Sequence, residues 1–140
     1  MTPDEVIADG HVVTIGGVSV TAHATPGHTP GTTTWATTVE DGGQAYRVVF
    51  AGSTSVNPGT RLVKQPSYPG IEADYRRSFA RLASLPVDIP LGAHSQSFDF
   101  HGRRERARTE GVRAWVDRDG LRRASAASMA TFEKLVAAEK

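Results

Sequence analysis

One histidine stands at the tip of a stiff turn, where the surrounding residues would hold a metal ligand in place. His28 lies within Thr25-Pro26-Gly27-His28-Thr29-Pro30-Gly31, so two prolines and two glycines bracket a single imidazole. Proline fixes φ and removes a backbone donor, and glycine permits backbone angles that other residues avoid. Such a turn suits a metal ligand, because a ligand must keep its position. A turn whose histidine only hydrogen-bonds a neighbouring carbonyl is the simpler alternative from these residues alone.

Three more polar groups follow predicted strand ends. His94 comes after the short predicted strand 87–91, again in a short turn. Ser53 and Ser55 follow the apolar run 48–51, which ends another predicted strand. Neutral imidazole is a good zinc ligand, whereas a pair of serines is also common on loops that have no chemical role.

Strands in the first half of the chain must position these groups. Alternating, β-branched runs predict strands at 11–15, 18–24, 32–39 and 44–51, and a fifth strand is predicted at 87–91. The glycine pairs 16–17 and 42–43 predict tight turns that join the first four strands into two hairpins.

Helices dominate the second half. The clearest is predicted at 71–85, where Ile71, Tyr75, Phe79 and Leu82 share one face. A short polar helix is predicted at 99–110, and another helix at 119–139. The predicted apolar stripe of the last helix consists of Leu121, Ala124, Ser128, Phe132 and Leu135. Strands followed by helices predict an α+β fold with a mainly antiparallel sheet and helices on one of its faces.

The motifs resemble the metallo-β-lactamase superfamily, and in particular the C-terminal half of the third subclass of class B (zinc) β-lactamases. Members of that subclass carry a very similar Thr-Pro-Gly-His-Thr-Pro-Gly-Thr-Thr-Thr-Trp run, which here spans 25–35. The similarity continues, in the family's order, through the blocks 49–59, 68–76 and 91–94. Together these blocks cover most of the chain.

The resemblance implies a fold, a metal centre and a reaction. The fold would be the second half of an αββα sandwich. His28 would ligate the first of two zinc ions and His94 the second, while Ser53 and Ser55 would hydrogen-bond the carboxylate of a β-lactam or the metal-bound water. Many other hydrolases of the superfamily carry a metal-bridging aspartate where this strand ends in Gly52-Ser53. The reaction would be hydrolysis of the β-lactam amide bond by a metal-bound hydroxide.

Part of that metal centre has no counterpart in the sequence. The family's first-half segment, His-x-His-x-Asp-His, does not occur among the five histidines of these 140 residues. Residues 1–140 therefore read as a single partial domain that lacks its N-terminal half and is inactive on its own. Two alternatives remain open: a non-catalytic half-domain or subunit completed by another chain, and a lactone or ester hydrolase of the same superfamily.

Composition narrows the partners. The net charge of +1 gives no global argument for a nucleic-acid partner, and the segment 103–123, with eight arginines and four acidic residues, is interpreted as an exposed mixed-charge surface. No apolar run is long enough for a membrane span. The first residues lack a signal peptide, so the chain as written is expected to stay in the cytoplasm, although parents of this type are usually periplasmic.

Two further expectations concern surfaces and side chains. A half-sandwich should leave the inner face of its sheet uncovered, which predicts self-association or complementation by the missing half. His23, in a predicted strand, is expected to be structural, and Tyr75 is interpreted as a packing residue of its helix.

Overall fold

The computed structural model describes residues 5–140. Its strands are β1 (Val12–Ile15), β2 (Val18–Ala24), β3 (Thr33–Asp41), β4 (Gln44–Ala51) and β5 (Ile89–Gly92). Its helices are α1 (Ile71–Ser84), α2 (Phe100–Glu110) and α3 (Gly120–Glu139), with short 3-10 turns at Ser95–Phe98 and Gly111–Trp115. The predicted α+β class is confirmed.

The five strands form one mixed sheet in the order β1-β2-β3-β4-β5. The first three pairings are antiparallel, and each of the two hairpins turns at a glycine pair with positive φ, as predicted. β4 and β5 are parallel, and the chain between them contains α1. A parallel pair needs such a crossover, because the chain must return to the same end of the sheet.

Helices α1 and α3 pack together on one face of the sheet. On α1 the predicted stripe of Ile71, Tyr75, Phe79 and Leu82 is buried, each residue being at most 2% exposed. On α3 the predicted stripe is partly wrong: Leu121 and Phe132 are buried, but Leu135 is 39% exposed. Val136 is buried instead of Leu135, and Ser125 is also buried. The face of α3 that contacts α1 is therefore displaced by one residue from the predicted stripe at these positions.

Adjacent residues of β4 show how differently the two faces are covered. Val49 is 1% exposed and packs with Leu82 and Leu121 of the helices. Phe50, which points to the opposite face because strand residues alternate, is 44% exposed. On the face of Phe50, which strand pairing extends from β1 to β4, Ala22 and Val48 are buried. Four large apolar residues on that face are exposed: Ile15, Val18, Val39 and Phe50.

An ion-pair cluster lies at the start of β5. Asp88, 6% exposed, accepts hydrogen bonds from Arg47 Nε at 2.8 Å and Arg118 Nε at 2.8 Å, and from the Arg47 backbone N–H at 3.0 Å. These donors hold the pKa of the Asp88 carboxyl well below its usual range. The cluster ties the first residue before β5 to the middle of β4 and to the segment before α3.

Candidate functional site

Topology gathers the predicted site residues at one edge of the sheet. β2 runs in the same direction as β4, since both are antiparallel to β3, and β5 is parallel to β4. The carboxyl ends of β2, β4 and β5 therefore meet at the same edge. The segments that follow them, 25–32, 52–55 and 93–94, carry His28, the two serines and His94. We call these three segments the loop edge.

His28 is held through one of its ring nitrogens. Its Nδ1 lies 2.8 Å from the backbone oxygen of Ser55 and 3.3 Å from the Ser55 hydroxyl. A carbonyl only accepts, so His28 must donate through Nδ1–H in this contact. Its Nε2 makes no hydrogen bond within residues 5–140 and keeps its lone pair available. This is the arrangement in which a histidine ligates a metal while a backbone carbonyl fixes its ring.

Helix α1 supports this loop from below. The Ser78 hydroxyl donates to the Pro26 carbonyl at 2.6 Å, and the Tyr75 hydroxyl donates to the Ser55 carbonyl at 2.8 Å. Gly27 has a φ of 142°, and a Cβ there would lie 2.8 Å from the Tyr75 ring, so only glycine fits. Sequence analysis missed Tyr75 and Ser78 as site residues. The available signal was a hydroxyl within an apolar helical stripe at each of these positions.

Two buried threonines connect the first two segments of the loop edge. Thr25 and Thr34, 2% and 0% exposed, share a hydroxyl–hydroxyl hydrogen bond of 2.9 Å. Thr34 Oγ1 also accepts from the Gly52 backbone N–H at 3.0 Å. A Cβ on Gly52 would lie 3.0 Å from the Thr33 carbonyl oxygen, so the chain passes closely here. The strand end Gly52-Ser53 is therefore fixed against the segment that carries His28.

Ser53, Ser55 and His94 line one cavity of about 650 Å³. The two serine hydroxyls are 3.0 Å apart, and the lining also includes the apolar side chains of Leu82, Phe98 and Leu121. The His94 ring is exposed and makes no hydrogen bond to the described part of the chain. His28 does not line this cavity but is joined to it through Ser55. The structure thus brings the four predicted residues to one edge of the sheet. Ser53, Ser55 and His94 share a cavity, and His28 lies beside it in contact with Ser55.

The metal-binding capacity of these residues is incomplete. A structural or catalytic zinc site needs at least three protein ligands. Between residues 5 and 140, no three His, Cys, Asp or Glu side chains come together in a way that could hold a metal ion. His28 and His94 have the correct chemistry, but the described residues alone do not fit a complete zinc site.

His23 has the structural role expected from the sequence. Its Nδ1 accepts a hydrogen bond of 3.0 Å from Arg81 of α1. Burial, followed by the Arg81 charge, lowers the pKa of His23 below its ordinary value of 6.5. A ring occupied in this way faces the helices and stays out of the loop edge.

A single sheet with helices on one face and histidine-bearing loops at its edge is the arrangement that the sequence resemblance implies for half of a metallo-β-lactamase sandwich. Comparison with solved structures finds similar proteins of this kind. The chain matches BJP-1, a subclass B3 metallo-β-lactamase of Bradyrhizobium japonicum, with 34% identity and a TM-score of 0.93 over 99% of this chain and 52% of that one. The resemblance predicted from the sequence is confirmed, and the match is consistent with a C-terminal half.

Two other solved structures agree. The native FEZ-1 metallo-β-lactamase of Legionella gormanii is 37% identical, with a TM-score of 0.92, over 99% of this chain and 53% of that one. A metallo-β-lactamase of Cronobacter sakazakii is 39% identical, with a TM-score of 0.88, over 99% and 52%. The chain thus spans about half the length of the solved proteins that it matches. No protein-family model matches the sequence.

The same described residues contain no helix with the length and apolar character that crossing a bilayer requires.

Proposed function

We propose that this chain supplies part of the active centre of a zinc-dependent hydrolase of the metallo-β-lactamase type. His28 would ligate one zinc ion and His94 a second, and zinc held there with further ligands would supply the activated water for hydrolysis of a β-lactam amide bond. The observation that carries the proposal is the engagement of His28 Nδ1 by the Ser55 carbonyl, which leaves Nε2 free at the edge where His94 also lies. The similarity to three metallo-β-lactamases supports it.

Ser53 and Ser55 would bind the substrate. Their hydroxyls are 3.0 Å apart and line the same cavity as His94, so both can donate to one carboxylate. The apolar lining next to them, from Leu82, Phe98 and Leu121, would contact an uncharged part of the same molecule. Binding and orientation of an anionic lactam are the contributions that these residues can make by themselves.

The isolated chain should bind zinc weakly and should not turn over substrate. One histidine per metal leaves each ion short of the three protein ligands that hold zinc in catalytic sites. A His-x-His-x-Asp-His segment outside residues 1–140, in the same protein or in another polypeptide, would complete both sites. The exposed apolar residues on one face of the sheet support this proposal, since they offer such a segment's domain a surface to cover.

The test is a calorimetric zinc titration paired with hydrolysis of the chromogenic lactam nitrocefin. We expect sub-stoichiometric, weak binding and no turnover by the chain alone, and turnover after addition of a polypeptide that carries the His-x-His-x-Asp-His segment. His28→Ala and His94→Ala should abolish the restored turnover. His101→Ala is the matched control, because His101 is an exposed histidine of α2 and should have no effect.

Two results would contradict this proposal. Tight binding of two zinc ions with turnover by the chain alone would show that it contains a complete site. Restored turnover that survives either alanine substitution would contradict the assignment of that histidine as a zinc ligand. An ester or lactone substrate, tested in parallel, separates a β-lactamase from a lactone hydrolase of the same superfamily, which would cleave the lactone and leave nitrocefin intact.

The uncovered sheet face gives a second measurement. Without a partner, the chain should self-associate through the face that contains Phe50, and sedimentation velocity should detect dimers or larger species. Phe50→Lys should shift the distribution toward monomer. Met129→Lys is the control, because Met129 lies on α3 and is 43% exposed against 44% for Phe50. A monodisperse wild-type monomer would argue against the proposed partner surface.

A further inference from the structure

We propose that Tyr75 is a positioning residue for His28, and that it acts through the Ser55 backbone carbonyl to set which ring nitrogen of His28 carries the proton. This inference deepens the function proposed above, because it concerns how one of its histidines is presented. Tyr75 touches neither a metal nor a substrate in this arrangement. Its effect is transmitted by one shared acceptor.

The Ser55 carbonyl oxygen receives two donors. The Tyr75 hydroxyl lies 2.8 Å from it and His28 Nδ1 also lies 2.8 Å from it. A carbonyl has two lone pairs, so both bonds can form at once. Ser55 itself is exposed and lies in an irregular segment, where a carbonyl with no second anchor could turn toward water. The tyrosine supplies that anchor.

Tyr75 is itself held firmly. It is 1% exposed, and its ring packs against Phe79 and Phe132 with centroid distances of 5.9 and 5.1 Å. Burial raises the pKa of Tyr75 to about 12, so its hydroxyl keeps the proton that it donates. The same ring lies against Gly27, the residue before His28, where a Cβ would come within 2.8 Å of it. One rigid side chain therefore contacts both segments that determine the position of His28.

The consequence is a defined tautomer. Neutral histidine in water favours the form with the proton on Nε2, whereas a carbonyl against Nδ1 requires the proton on Nδ1. With Nδ1–H donated to Ser55, Nε2 is left as an acceptor at the loop edge. Metal-binding histidines are oriented by this kind of contact. Tyr75 thus links the aromatic core beneath α1 to the electronic state of a surface imidazole.

The experiment measures the ¹⁵N shifts of the His28 ring in the metal-free 140-residue chain at alkaline pH. Tyr75→Phe removes the hydroxyl and keeps the ring. We expect the ratio of the Nδ1–H to the Nε2–H form to fall by about threefold to tenfold, the range for loss of one hydrogen bond. The wild-type chain should be mainly in the Nδ1–H form.

One control isolates the pathway. Tyr68→Phe removes the hydroxyl of another tyrosine, one that makes no hydrogen bond to Ser55 or His28 within residues 5–140, and should leave the ratio unchanged.

The outcomes separate this inference from the proposed function. An unchanged ratio in Tyr75→Phe, or a wild-type chain with the proton mainly on Nε2, would overturn the role of Tyr75 whatever the zinc titration shows. A ratio that falls in Tyr75→Phe alone would support it, even if no zinc binds. Thermal melts of the same samples identify general unfolding, which would move the signals of all histidines together rather than shift one.

Discussion

Strands β4 and β5 carry two clusters of polar residues that differ in how fully they are paired. At the start of β5, the Asp88 carboxylate receives bonds from two arginines and a backbone N–H. Past the carboxyl ends of the same strands, the Ser53 and Ser55 hydroxyls bond to each other without a charged partner, and the His94 ring makes no hydrogen bond to the described residues. Paired charges stabilise a fold, whereas groups left open are available to a ligand. The comparison therefore separates polar residues that stabilise the fold from polar residues that are candidates for ligand binding, within one pair of strands.

Removal of the Asp88 carboxylate should have the largest effect on stability. Asp88→Ala leaves Arg47 and Arg118 without their partner, and the Asp88 side chain is only 8% exposed. Loss of a wholly buried pair costs about 3–5 kcal/mol. Both arginines are more than half exposed and can hydrate, so we expect a loss of about 2 kcal/mol in the free energy of unfolding, measured in urea.

Glu105→Ala is the control for that substitution. Glu105 pairs with Arg108, and both side chains are about 70% exposed, at 68% and 71%. Its removal should change stability by less than about 0.5 kcal/mol. Equal effects of the two substitutions would show that burial does not distinguish the Asp88 cluster.

The stabilisation that the Asp88 ion pairs provide should be lost at acid pH. Its folded-state pKa lies below the ordinary value of 3.8, so the unfolded chain takes up the proton first as the pH falls. The stabilisation is therefore complete above about pH 4 and is lost as the pH falls toward the folded-state pKa. The stability difference between wild type and Asp88→Asn, followed by urea unfolding from pH 6 downward, should shrink below about pH 4. A constant difference would contradict the pairing.

Gly52→Ala should have a smaller effect, confined to the loop edge. The added Cβ would lie 2.6 Å from Thr32 Cγ2 and 3.0 Å from the Thr33 carbonyl oxygen, so the strand end must shift. Overpacking of this kind costs about 1–3 kcal/mol, and we expect about 1 kcal/mol because the Thr32 side chain can rotate. Gly31→Ala, with open space around its Cβ, is the control. Amide shifts limited to 25–34 and 52–55 would confirm the location.

His23→Gln should have the smallest effect. The pKa of His23 is lowered in the fold, so the unfolded chain binds its proton first as the pH falls below 6.5. Wild type should lose a little stability over that interval, and Gln, which can accept the Arg81 hydrogen bond without titrating, should not. We expect a change of well under about 1 kcal/mol because the site is partly exposed. Parallel pH profiles of melting temperature for the two proteins would refute this assignment.

Sequence patterns predicted the elements well because each depends on local chemistry. Glycine pairs set the two hairpin turns, and the apolar spacing of 71–82 set α1, whose observed end at Ser84 differs by one residue from the prediction. The residues of the loop edge were also predictable, because the stiff turn around His28 and the ends of the strands can be recognised in the sequence. His28, Ser53, Ser55 and His94 remain predicted site residues that the structure places together without testing their roles.

Contacts between distant residues were not predictable from the sequence. Tyr75 fits a helical stripe, so packing explained it, yet its hydroxyl reaches a carbonyl 20 residues away in sequence. Asp88 lies just before a short strand and has no local partner, and its arginines come from positions 41 and 30 residues distant. Such pairs depend on which strands become neighbours, and no short window of sequence contains that information.

The parallel pairing of β4 with β5 also determines the order in which the chain can assemble. The two hairpins join residues that are close in sequence, whereas Arg47 and Asp88 are 41 positions apart. Closing so long a loop costs entropy before its contacts form, so β5 should dock after the hairpins and after α1. β5 is also short and lies at the end of the sheet order. Its amides should exchange with deuterium sooner than those of β3, and each such opening would carry His94 away from the other three residues while they stay in place.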